Sequence, residues 1–91
     1  MFLFIYKTRG ITENYFTIIN SWDTKSAILD FYEHHEGIPG IDRILMDKMV
    51  KSLSIEETIS VANNLLQKVT IVGLYSNLTC VYDSTKEEEN E

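Results

Sequence analysis

An α+β fold built on one antiparallel sheet follows from three features of the sequence. Short runs rich in aromatic and β-branched residues stand near both ends of the chain, at 2–8, 15–22, 69–75 and 78–83. Apolar residues at helical spacing fill the middle. Turn chemistry separates the runs at each end, so the strands pair as hairpins. Strands at the ends with helices between them indicate an α+β domain. The predicted order is β-β-α-α-α-β-β, with a four-stranded antiparallel sheet covered on one face by helices.

The first strand is Phe2–Thr8, with Phe2, Phe4 and Tyr6 on one face and Leu3, Ile5 and Lys7 on the other. Both faces are mostly apolar, which places this strand inside the sheet. Residues 10–14 have turn composition. The second strand is read as Tyr15–Trp22, with Phe16, Ile18 and Trp22 on one face. Asp23 or Thr24 then caps a helix whose apolar stripe is Ala27, Ile28, Phe31, Tyr32 and His35. Gly37 stands where a helix C-terminal glycine is expected, and Ile38-Pro39-Gly40-Ile41 has type II turn chemistry.

A second helix is read over Ile41–Lys51, because DRILMDKMVK lacks the strict alternation of a strand. Ser54-Ile55-Glu56-Glu57 is a capping box, the sharpest local signal in the chain. The helix it starts runs to about Gln67, buries Ile55, Ile59, Ala62 and Leu66, and turns Asn63 and Asn64 to solvent. Val69–Tyr75 and Leu78–Asp83 form the last hairpin around Ser76-Asn77. Gly73 inside a strand marks a bulge or a close approach. Residues 1–84 make one domain, and 85–91 an acidic tail expected to be disordered.

Charge narrows the function. The net charge is −6, and the tail carries one lysine and four glutamates, half of that total. The body is only mildly acidic, which argues against direct nucleic-acid binding, since that needs clustered Lys and Arg. The single cysteine, Cys80, excludes an internal disulfide and fits a reducing compartment. The apolar N-terminal run is six residues long, too short for a signal peptide or a membrane span. The expected setting is therefore cytoplasmic, in a cell or an infected host, with no membrane partner.

Four groups of residues are candidates for chemistry. Asp30, Glu33 and His34 share a helical face, a spacing that suits a divalent metal. No second His or Cys cluster completes that ligand set, so the plainer reading is a solvated helix face and no metal or cofactor is expected. Cys80 alternates with apolar residues in a strand, as buried structural cysteines do. No phosphate loop, nucleophile elbow or zinc spacing is present, and the chain is read as non-enzymatic. Asp23, Asp30, Glu33, Glu36, Asp42 and Asp47 concentrate acid within 25 residues. Tyr15, Trp22, Tyr75 and Tyr82 lie on strands, where an uncovered face makes a dimer or partner surface and a covered one makes core.

The reading that follows is a small acidic inhibitor or immunity-type binding protein. Its acidic helical surface, Asp30, Glu33, Glu36, Asp42 and Asp47, docks on a basic site of a protein partner such as a nuclease or nucleic-acid-binding protein. Tyr32 or Trp22 anchors the centre. In size and charge the chain resembles toxin-immunity proteins and phage-encoded inhibitors of host defence enzymes. The rival reading is an oligomer that binds a nucleotide-like or metabolite ligand near His34–Gly40. A homodimer fits either.

Overall fold

A seven-residue strand, β1 (Phe2–Thr8), pairs on both sides and forms the centre of the sheet. In the computed structural model the described residues are 1–35, 48, 51–66 and 68–89. Beside β1 lie β2 (Tyr15–Ile19) and β3 (Val69–Ser76), and β4 (Thr79–Asp83) flanks β3. The order is β2-β1-β3-β4, and every pairing is antiparallel. The two-sided apolar pattern of β1 thus has its expected cause.

The helical layer comprises α1 (Thr24–Asp30), which runs directly into a π turn at Phe31–His35, and α2 (Ile55–Leu66). Asp23 caps α1 by accepting from the Ser26 amide at 2.8 Å. At α2 the capping box forms in full. The Glu57 amide donates to Ser54 Oγ at 3.1 Å, and the Ser54 amide donates to Glu57 Oε1 at 3.2 Å. The Ser54 amide first, and then the Ser54 hydroxyl, hydrogen-bond the Glu57 carboxylate and hold it below its ordinary value of 4.5. The sign follows directly: a depressed folded value adds stability above pH 4.5 that is lost as pH falls through the folded value. Ser54→Ala is expected to cost about 0.5–2 kcal/mol in urea melts at neutral pH, and less in acid, where Glu57 is protonated.

One face of the sheet carries the core. Phe2, Phe4, Ile19, Val69, Ile71 and Leu74 meet Ala27, Ile28, Phe31, Tyr32, Ile59 and Ala62. Thr58 is buried too, and its hydroxyl is satisfied by the Ser54 carbonyl at 2.8 Å.

Several expectations are corrected. The second strand ends at Ile19 rather than Trp22. Ile19 pairs with Phe2, where β1 begins, so the ladder has no partner beyond it. The last hairpin turns on Asn77-Leu78, both with positive φ (50° and 66°), not on Ser76-Asn77. Ser76 instead pairs with Thr79. Asn63 is half-buried and accepts from the Tyr32 hydroxyl, rather than facing solvent. Tyr32→Phe is accordingly expected to cost about 1 kcal/mol in a denaturant melt. The start of the acidic segment, Ser84–Glu89, forms a 3-10 helix. The Ile38–Ile41 turn and most of the expected middle helix lie outside the described residues; Lys48, Lys51 and Ser52, which are described, are helical.

Gly73 has two roles in this frame. The β1–β3 register shifts beside it, since Ile5 pairs with Gly73 and Tyr6 with Ile71. A Cβ at residue 73 would also stand 3.0 Å from the Tyr75 ring. The other positional glycine is Gly10, whose φ of 82° closes a turn bonded from the Ile11 amide to the Thr8 carbonyl.

Candidate interaction surface

The side of the sheet opposite the core is apolar and open. Alternation along β1 and β2 sends Leu3, Ile5, Phe16 and Ile18 to that side, and Phe16 pairs with Ile5, Ile18 with Leu3. Phe16 and Ile18 are 65% and 62% exposed. Tyr75 pairs with Leu3 from the other flank and extends the face across β3. Among the described residues no helix covers this side. At the end of the sheet where β1 begins, this side has a cavity of about 450 Å³ lined by Met1, Leu3, Ile18, Tyr75, Asn77 and Leu78.

Leu78 is the most informative of these residues. It is fully exposed, and its φ of 66° is left-handed. Such a conformation costs an L residue with a bulky side chain about 1–2 kcal/mol. The preferred second residue of a two-residue hairpin turn is glycine. An apolar side chain held at that position, beside an apolar cavity, is doubly unfavourable in an isolated chain. Nearby, the Tyr75 phenol is pushed above its usual value of 10.0, chiefly by loss of solvent and then by its neighbours Cys80 and Asp83. It therefore stays neutral in the pH range of a cell, as suits an apolar face.

Of the residues expected to bind a partner, Tyr32, Trp22, Asp30 and Glu33 are among the described residues. Tyr32 is 2% exposed and packs edge-on to Phe31 at 5.2 Å. It belongs to the core, because the helical stripe that contains it faces the sheet, and its ring is not presented at the surface. Trp22 is 98% exposed in the connection between β2 and α1. Asp30 ends α1 and Glu33 sits in the π turn, both half-buried. Glu36, Asp42 and Asp47 lie outside the described residues, as does Glu36–Gly40 of the expected ligand loop.

The metal and thiol candidates have simple surroundings. His34 Nε2 stands 3.9 Å from Glu33 Oε1 at the surface. Among the described residues no three His, Cys, Asp or Glu side chains gather to hold a metal. Cys80 is half-buried, and its thiol donates to the Tyr82 carbonyl at 3.4 Å. Among the described residues no helix is long and apolar enough to cross a membrane.

Sequence reasoning identified the strands of the open face but not which side the helices would leave bare. The signal was the run of apolar residues on both sides of β1. No family model, curated protein or solved structure matches the chain.

Proposed function

We propose that the chain is a non-enzymatic binding protein that works as a homodimer, with the open sheet faces of two copies packed together. The observation that carries this reading is the apolar side of the sheet, which no helix among the described residues covers and on which Phe16 and Ile18 are exposed. Four strands about 4.8 Å apart and about six residues long give a flat face of roughly 400 Å². Two such faces with interdigitated side chains bury roughly 1,000 Å² of accessible surface, the level a specific interface needs. Few charges oppose this. Among β1 and β2 residues on that side only Lys7 is charged, so a second copy meets apolar surface rather than carboxylates. Face-to-face packing of twisted sheets is an ordinary solution for such surfaces.

Sedimentation of the full chain tests the reading. A dimer at micromolar concentration that Ile18→Glu converts to a folded monomer supports it. A wild-type chain that stays monomeric at millimolar concentration overturns it.

A sheet-to-sheet dimer leaves both helical layers outward. Asp30 and Glu33 belong to that layer, and the chain carries −6 overall. This favours an inhibitor-type role in which the outward acidic surface meets a basic site on a protein partner. Complex formation is expected to weaken with salt and with Glu33→Lys. A complex indifferent to both removes the acidic surface from recognition.

A further inference from the structure

At the end of the sheet where β1 leaves for its turn, the chain gathers cations. Lys7, Arg9 and Lys68 line one cavity of about 310 Å³, with Thr8, Thr70 and Asn63. Three of the eight basic residues of an acidic chain thus meet in one place. The β1–β3 ladder brings them there, because Lys7 pairs with Thr70 and the Arg9 amide donates to the Lys68 carbonyl at 2.6 Å. Among the described residues no carboxylate lines the cavity. Among the described residues none of the three cations has an ion-pair partner.

A plainer explanation covers one of the three. Lys68 follows the C-terminus of α2, where a cation is favourable without any ligand. Lys7 and Arg9 stand on a strand and its turn and have no such reason to be there. Three like charges facing one hollow repel one another until an anion arrives. The neutral donors suit the same guest. Two threonine hydroxyls and an asparagine amide offer directed hydrogen bonds beside an arginine fork that fits a tetrahedral oxyanion.

We propose that this cavity binds a small phosphomonoester, its dianionic phosphate held by Lys7, Arg9 and Lys68. Three cations match a dianion better than they match a carboxylate or chloride. The cavity is of the size of small-ligand sites, which begin at about 300 Å³, so it has room for the group that bears the phosphate. Buried Val69 gives an apolar patch against which that group rests. All the residues that line the site belong to one copy, although Lys7 lies on the same side of the sheet as the proposed dimer face.

Amide shifts in NMR titrations test the proposal, with inorganic phosphate, phenyl phosphate, acetate and chloride added at matched ionic strength. Phosphate and phenyl phosphate are expected to give saturable shifts at residues 7–9 and 68–70, with acetate and chloride giving only weak linear drift. Tighter binding of phenyl phosphate identifies an ester as the ligand class, and equal or weaker binding of it than of inorganic phosphate overturns the monoester assignment. Affinity for phenyl phosphate should fall as pH drops below about 6, where the ligand loses its second charge. Lys7→Gln/Arg9→Gln is expected to weaken binding at least tenfold, and Lys68→Gln to weaken it less. Both variants alter only exposed side chains, and the Arg9 backbone bond is kept. Equal responses to all four anions, or an affinity unchanged in Lys7→Gln/Arg9→Gln, overturn the proposal. Running the titrations on Ile18→Glu as well separates this result from the oligomeric state.

Discussion

Phe31→Ala is expected to lower stability by about 3–5 kcal/mol, as truncation of a fully buried phenylalanine does. The ring has no exposed surface and joins the two layers of the protein. It stacks on Phe4 with centroids 4.6 Å apart and planes 5° from parallel. It meets Tyr6 edge-on at 4.9 Å and Tyr32 at 5.2 Å. Removing it therefore leaves a cavity at the point where the helical layer touches the central strand. The adjoining rings belong to β1 and to the same turn of helix, so neither can move far to fill it. A domain of this kind has roughly 5–15 kcal/mol of total stability, so the loss consumes much of it. At roughly 4–8 °C per kcal/mol, the melting midpoint should fall by more than 12 °C. Urea unfolding should show a lower midpoint with an unchanged slope. Phe31→Leu should recover most of the loss. If Phe31→Ala costs under 1 kcal/mol, the aromatic stack is not what holds the layers together.

The features legible in the sequence were those with a local cause. Apolar residues on both sides of β1 announced a strand inside the sheet, and β1 is paired along both edges. Ser54 and Glu57 announced a helix start, because each satisfies the other's backbone three residues away. Where the reading failed, the deciding partner was distant or the local preference was overridden. Asn63 looked exposed because its partner, Tyr32, is 31 residues away in sequence. Tyr32 looked like an interface anchor by residue type, but its place in the helical stripe decided its burial. The turn reads one residue early because Ser76-Asn77 is the polar pair between two apolar runs, whereas the turn takes in the apolar Leu78 at positive φ. The cations of the phosphate cavity lie about sixty residues apart in sequence, and only the antiparallel pairing of β1 with β3 unites them. Charge counting by segment could not see that cluster.

Ile18→Glu is expected to raise the dimer dissociation constant at least 100-fold, equivalent to about 2.7 kcal/mol. Two-fold symmetry places the substitution in the interface twice, and each new carboxylate loses water without gaining a partner. Ile18 is already 62% exposed in the single chain, so its replacement leaves the core of that chain intact. Leu78→Gly separates the two effects further, because its consequences have opposite signs. Glycine relieves the left-handed strain and should stabilise the single chain by about 1 kcal/mol. It also removes the side chain that walls the apolar cavity beside Ile18 and Tyr75. The dimer should therefore weaken while the fold gains stability, a combination that no general loss of structure produces. Sedimentation velocity and thermal melts on the two variants read both quantities. Dissociation with intact far-ultraviolet circular dichroism places the interface on the sheet. If both variants sediment as the wild type does, any self-association uses another surface, and the exposed Leu78 has no explanation in dimerisation.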